Sequence, residues 1–370
     1  MSIELSSNNK IPNNSAPVLV DPLPVHRLEV KVLSDWLRTV APDICEGLTV
    51  QQFQGGMSNP TYFLSTASGV NYVLRKKPPG KLLPKAHAVD REHRVMQALA
   101  DTAVPVPQMV AYCDDPSVIG AEFFVMQYID GCIVPSPMME PLPREQRPAM
   151  AFSLIDTIAV LHCVDWQKVG LQGFGRPEGY LGRQVKRWSG QYEESKSALP
   201  ADFDYTHMDS LRDWLLERAN VNDESCIVHG DFHLGNTIID PTEAKVIAVI
   251  DWELSTIGHP LADLAYLCLH YHLPPREGEG RVDGPALLAA DLPEESVLLK
   301  RYCERTGRDD IPGWPIFLAF ACFRSAAIGQ GVAARAEQGN VSSASADPAK
   351  DGARARKVAE IGYTIARSMD

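Results

Sequence analysis

What this sequence lacks excludes several classes of protein at once. Its eight cysteines, at 45, 113, 132, 163, 226, 268, 303 and 322, contain no C-x-x-C pair. Several lie inside apolar runs, which reads as buried free thiols in a reducing compartment and speaks against zinc. The longest apolar run, residues 316–323, is far shorter than the roughly 20 residues of a bilayer-spanning helix. Residues 1–19 are polar and rich in Asn and Ser, with no apolar signal core. The expectation is a soluble, cytoplasmic protein with no membrane partner. A basic excess is missing too: 35 Lys+Arg against 47 Asp+Glu give a net charge of −12, which argues against nucleic acid as a partner. There is no internal repeat and no complete G-x-G-x-x-G. Oligomeric state leaves no mark that can be read.

The patterns that are present divide the chain in two. Residues 1–24 lack periodicity and read as a disordered tail. Over 26–40, Leu28, Val32, Leu33, Trp36 and Val40 recur near helical spacing. Three short β-type runs follow, 48–54, 61–65 and 71–76, joined by the Gly-containing stretches 55–59 and 67–69. A helix is expected over 85–99, with Val89, Val95, Met96 and Leu99 inward, then strands at 108–112 and 122–128. Asp130-Gly131 breaks this pattern. Beyond it, helices are expected at 150–164, 208–219, 261–270, 316–328 and 354–367. Residues 170–192 are rich in Gly, Arg and aromatics without periodicity, and 337–352 read as a flexible loop. The fold class is therefore α+β, with a small β-rich lobe over 25–129 and a larger helical lobe over 130–370.

The most informative stretch is 226–253. An apolar run ends at Val228, and a polar loop carrying His229, Asp231, His233 and Asn236 follows. A second apolar run, 246–250, delivers Asp251 and Glu253, and Asp240-Pro241-Thr242-Glu243 reads as the turn between the two strands. Asp and Asn five residues apart, followed by a second Asp after a short hairpin, suit one metal ion. Oxygen ligands of this kind favour Mg²⁺ over zinc. Taken singly, Asp231 and Asn236 would also suit an Asx turn capping its own backbone.

The ordered set carries a family resemblance. His229-Gly230-Asp231-Phe232-His233-Leu234-Gly235-Asn236 resembles the H-G-D-x-x-x-x-N loop of aminoglycoside phosphotransferases and choline kinases, relatives of the protein kinases. Ile250-Asp251-Trp252-Glu253 resembles their metal-binding segment. Gly258-His259-Pro260-Leu261-Ala262-Asp263-Leu264-Ala265 resembles the G-x-P-x-x-D-L-A that follows. The wording at 72–79 and at Gly173-Phe174-Gly175-Arg176 is similar to the kinase-like domains fused ahead of certain acyl-CoA dehydrogenases and to their free-standing bacterial relatives.

This resemblance implies a bilobal protein-kinase-like fold and an ATP- and Mg²⁺-dependent transfer to a hydroxyl group. Asp231 would be the catalytic residue that accepts or orients the hydroxyl proton, and Asn236 and Asp251 the metal ligands. His229 would brace the loop, and Asp263 would stabilise its backbone. His233 stands where protein kinases carry a phosphate-contacting Lys; an exposed His without a role is the other reading. Arg75 or Lys76 would meet the nucleotide phosphates and pair with Glu92. Adjacent strand residues face opposite sides, so only one can do so, and Arg75 is preferred. The 55–59 connector would act as a phosphate flap through Gly56, Ser58 and backbone N–H groups. Gln127 and Tyr128 would bind adenine through their backbone, with Met126 behind the base or simply in the core. Glu253 would assist a second metal or stand in a surface salt bridge.

The acceptor is a small molecule bearing a hydroxyl. The family wording points toward a hydroxyacyl-CoA, which Arg176, Arg183, Lys186 and Arg187 would suit by charge. An aminoglycoside is the alternative that the acidic total allows, and a silent nucleotide-binding pseudokinase is the reading from another class.

Overall fold

In the computed structural model the chain is described for residues 17–54, 59–78, 88–199, 203–273, 283–338 and 347–369. It divides into two compact units. The first joins residues 1–100, 105–153 and 234–250; the second joins 101–104, 154–233 and 251–370. A cut at 129/130 would leave the 234–250 segment with the helical part, whereas its contacts place it in the first unit.

The first unit is built on a six-stranded antiparallel sheet. Its strands are β1 (Leu19–Val20), β2 (Thr49–Phe53), β3 (Thr61–Ser65), β4 (Asn71–Lys76), β5 (Met109–Cys113) and β6 (Phe123–Gln127), in the order β1-β2-β3-β4-β6-β5. The three short runs before residue 77 fall where alternation predicts. The disordered tail expected over 1–24 needs correction at its end: Leu19 and Val20 pair with Phe53 and Gln52, and Pro24–His26 forms a 3-10 turn. Residues 1–16 lie outside the described residues.

The helix α1 (Val30–Val40) lays Leu33 and Leu37 against Tyr62, Leu64, Leu74, Phe123 and Val125 of one sheet face. Trp36 adds an edge-on contact to Phe123, with ring centroids 4.9 Å apart. The helix α2 (Val89–Leu99) packs against β5 and β6, burying Val89, Val95, Met96 and Leu99 as its periodicity requires. A one-turn helix, α3 (Pro116–Ile119), precedes β6. The first two turns of α4 (Arg147–Cys163) belong to this unit and the rest to the second.

Two strands of the first unit correct the expected hairpin. Strand β8 (Thr237–Asp240) pairs with β9 (Lys245–Val249), and Asp240 closes their turn by accepting from the N–H groups of Thr242 and Glu243 at 2.8 and 3.2 Å. The turn read at 240–243 therefore joins β8 to β9. The run ending at Val228, β7 (Cys226–Val228), pairs in the second unit with β10 (Thr256–Gly258). A 3-10 turn, Leu234–Asn236, stands between β7 and β8 and hides the four-residue β8 at the edge of the polar loop.

The second unit is helical: α5 (Tyr180–Lys196), α6 (Thr206–Arg218), α7 (Pro260–Cys268), α8 (Gly284–Ala289), α9 (Glu295–Thr306), α10 (Trp314–Glu337) and α11 (Pro348–Arg367). Helix α10 is central and packs against α5, α6, α7 and α11. It is long and apolar enough to cross a membrane by length and composition, but 67% of its apolar window is buried inside the unit. An all-round apolar helix is what a core position requires.

Helix α5 occupies the stretch that showed no periodicity. Tyr180, Leu181, Val185 and Tyr192 form its buried face, and Gly182 and Gly190 weaken the local propensity that would have announced it. The loop expected over 337–352 is shorter than predicted. Residues 348–352 are helical, capped by Asp347, whose carboxylate accepts from Ala349 and Lys350; 339–346 lie outside the described residues.

Candidate active site

In the first unit, the sheet decides between Arg75 and Lys76. On β4, Leu74 and Lys76 point to the α1 face and Arg75 to the α2 face. Lys76 is buried and donates to the Ile119 carbonyl at 3.0 Å, and burial lowers its pKa. Arg75 Nε lies 3.1 Å from the Glu92 carboxylate, with side-chain exposures of 14% and 1%. Lys77 pairs with Glu122 at 2.7 Å. Glu92 also accepts from Asn59 Nδ2 at 3.0 Å, so this buried carboxylate has a charged and a neutral partner. Asn59, itself buried, is a site residue with no separate signal in the sequence. Gly56 and Ser58 lie outside the described residues.

The expectation for Gln127 and Tyr128 changes. Their N–H groups are given to the carbonyls of Gln108 and Asn71, at 2.9 and 3.1 Å. Neither donor is available to a base, so any contribution of this stretch falls to its carbonyl oxygens. Met126 is buried in the sheet.

In the second unit, the loop after β7 is fixed from several sides. His229 is fully buried, its ring 4.7 Å from Trp252 and 5.9 Å from Phe232. Its Nδ1 accepts from the Asp231 N–H at 3.2 Å. Gly230 has φ +83°, and a Cβ there would meet the Leu254 carbonyl oxygen at 2.5 Å; only glycine fits both conditions. Asp263, in the first turn of α7, is 2% exposed, and its two carboxylate oxygens accept the N–H groups of His229 and Gly230.

Asp231 emerges from this frame half-buried. Burial alone would raise its pKa. The neighbouring His233 imidazole, the charge of Arg324 and the hydroxyl of Tyr266 outweigh it and hold the carboxyl at about 2. His233 Nε2 and Arg324 Nη2 each lie 3.6 Å from an Asp231 oxygen. Tyr266 and Arg324 escaped the sequence reading. The available signal was Arg324 itself, a lone charge within the apolar stretch 316–328.

Asp251 follows β9 with φ +64° and ψ 59°, a left-handed conformation uncommon for a residue with a side chain. One of its carboxylate oxygens lies within 4.8 Å of one on Glu253. Asn236 ends the 3-10 turn before β8, and its carbonyl accepts from Ile250 N–H at 3.0 Å. The carboxylates of Asp251 and Glu253 are oxygen donors of the kind a hard divalent cation such as Mg²⁺ takes. Such an ion, when bound, neutralises phosphate charge.

Comparison with known proteins gives four findings. The model of the "Phosphotransferase enzyme family" matches residues 49–295. Acyl-CoA dehydrogenase family member 11 of Rattus norvegicus is 42% identical over 331 residues, covering 88% of this chain and 42% of that protein; the chain thus spans less than half of the curated relatives' length. A crystal structure from Ralstonia eutropha, provisionally named an aminoglycoside phosphotransferase, is 39% identical with a TM-score of 0.81, covering 92% of this chain and 99% of the other. The choline kinase of Cryptosporidium parvum, 14% identical, matches at a TM-score of 0.64 over 92% of this chain and 96% of its own, and shares the fold. The kinase-like fold expected from the motifs is the fold observed.

Proposed function

The chain belongs to the phosphotransferase enzyme family, and from that premise we propose that it transfers the γ-phosphoryl group of ATP, with Mg²⁺, to a hydroxyl of a small molecule. The observation that carries this reading is Asp231: a carboxylate kept ionised on a loop whose backbone is pinned by Asp263. A group with a pKa of about 2 is a poor proton store at neutral pH. Its use is to accept the hydrogen bond of the acceptor hydroxyl and aim the oxygen lone pair at phosphorus. Phosphoryl transfer through a loose transition state asks for little more, because the hydroxyl becomes acidic only as the new P–O bond forms. The bond from phosphorus to the β–γ bridging oxygen breaks, ADP leaves, and the proton passes through Asp231 to solvent.

In this reading Asn236 and Asp251 hold the metal ion, and Arg75, steadied by Glu92, meets nucleotide phosphates. His233 serves the transferred group or Asp231, Gly56 and Ser58 cover the phosphates, and carbonyls of 127–128 face the base. The lobe bounds 25–129 and 130–370 and a cytoplasmic location belong to the same reading; the free cysteines suit a reducing compartment.

For the acceptor, the likeness to proteins named acyl-CoA dehydrogenases and the basic residues of α5 favour a hydroxyacyl-CoA-type compound. The name of the Ralstonia relative supports an aminoglycoside instead. Arg75, standing where the family carries Lys, is the one feature that favours a silent nucleotide-binding module. An ATP-consumption screen against hydroxyacyl-CoAs, aminoglycosides, choline and homoserine, with Asp231→Asn as control, tests all three. Consumption that needs an acceptor and is lost in the variant is the expected result. ATP binding with every acceptor inert would favour the binding module.

A further inference from the structure

Helix α10 carries one side chain whose chemistry the proposed roles above leave unused. Arg324 is 8% exposed, yet its Nε has no hydrogen-bond partner among the described residues. A guanidinium offers five donors, and buried donors are almost always satisfied. The ion pair of this one is with Asp231, at 3.6 Å, beyond hydrogen-bonding distance. The guanidinium carbon instead stands 4.4 Å from the Tyr266 ring centroid and 5.6 Å from that of Trp188. Two aromatic faces hold the cation in place without using its N–H groups. Arg187 lies 5.7 Å from the centroid of the same Trp188 ring.

We infer that Arg324 is the acceptor-recognition residue, holding an acyl oxygen of the substrate beside the hydroxyl that Asp231 orients. This rests on the phosphotransferase reading above and narrows its acceptor to a class. If the two hydrogen bonds run side by side, a hydroxyl bound to Asp231 and an oxygen bound to Arg324 would stand about as far apart as the protein atoms themselves, which are 3.6 Å apart. That spacing suits a β- or γ-hydroxy acid, either as the free carboxylate or as a thioester whose carbonyl takes the same place. An ammonium group at this position would face the Arg324 guanidinium, which disfavours polycationic acceptors. Trp188 and Tyr266 supply apolar walls for the carbon chain between the two oxygens.

The experiment compares 3- and 4-hydroxyhexanoate and their CoA thioesters with the matching hexanediols, which lack the acyl oxygen. Binding is followed by calorimetry with a non-hydrolysable ATP analogue, and turnover is measured separately with ATP. Wild type is expected to prefer the acyl compounds at least tenfold, Arg324→Met to lose that preference, and Arg324→Lys to restore part of it. A preference for thioesters over free acids, or the reverse, identifies the source of the acyl oxygen. If Arg324→Met weakens diols and acyl compounds equally, Arg324 only positions Asp231 and the inference falls while the kinase reading stands. If acyl compounds bind in an Arg324-dependent manner but no phosphoryl group moves, the Arg324–acyl contact stands as a binding site while the kinase reading falls, and with it the role in acceptor recognition. A wild type that binds none of the acyl compounds overturns the inference. Should Arg324→Met fail to fold, Arg324→Lys decides, since an unchanged acyl preference there contradicts a guanidinium-specific contact.

Discussion

Asp263 Oδ1 accepts the backbone N–H of Gly230 at 2.9 Å, and its Oδ2 takes the neighbouring N–H of His229 at 2.5 Å. One buried carboxylate thus holds both amides that precede Asp231. Removing it leaves two buried donors without partners, at about 1–3 kcal/mol each. Asp263→Ala should lower the unfolding free energy by about 2–6 kcal/mol, read from urea titration. Gly230→Ala should be nearly as damaging, because the left-handed backbone and the Leu254 carbonyl both reject a Cβ. A variant of either kind as stable as wild type would refute the clamp.

Asp231→Asn keeps the volume of the side chain and removes its charge. Acceptor-dependent ATP turnover should fall by roughly 10²–10⁴-fold, while Mg·ATP still binds in a calorimetric titration. Near wild-type turnover would remove Asp231 from the reaction.

The Asp231 carboxyl should titrate near 2, well under its ordinary 3.8. Because the folded value is the lower one, the stabilisation is present above the unfolded pKa and disappears as pH falls through about 2. Carboxyl ¹³C shifts would show this, with the midpoint moving up in His233→Ala. A wild-type midpoint at the ordinary value would contradict the account.

His259 gives a second pH dependence. Its Nδ1 caps α7 by accepting from Leu261 N–H at 3.2 Å, and burial lowers its pKa from 6.5 to about 4. The folded protein keeps it neutral while the unfolded chain binds a proton. Its contribution is therefore complete above pH 6.5 and is lost as pH falls from there toward 4. The linked loss is about 3 kcal/mol. His259→Asn, which retains a capping oxygen, should flatten the stability profile in that window; an unchanged slope would assign it elsewhere.

Arg75→Ala removes the charged partner that the buried Glu92 carboxylate has at 3.1 Å, and breaking such a pair costs about 3–5 kcal/mol. Arg75→Lys should recover part of this, and nucleotide affinity should follow the same order. Equal affinities in all three proteins would show that Arg75 is structural alone.

The order of motifs between about residues 45 and 270 told the family, and the alternation of β3 and β4 told their limits to the residue. Both are local properties: a strand face repeats every two residues, and a catalytic loop is a short word. That same local reading placed β7 and β9 in one hairpin and saw no helix over 180–196. A three-residue strand cannot name its partner, and two glycines mask a helical stripe.

The sequence by itself thus determined the reaction class, the Asp231 loop and the two-part α+β plan. Tertiary structure alone decided which of two adjacent cations meets Glu92, which backbone donors of 127–128 are already used, and that Arg324 stands beside Asp231. The reason is distance along the chain. Arg324 and Asp231 are 93 positions apart, and a contact of that kind is made by the packing of α10 against α7, which no spacing rule records.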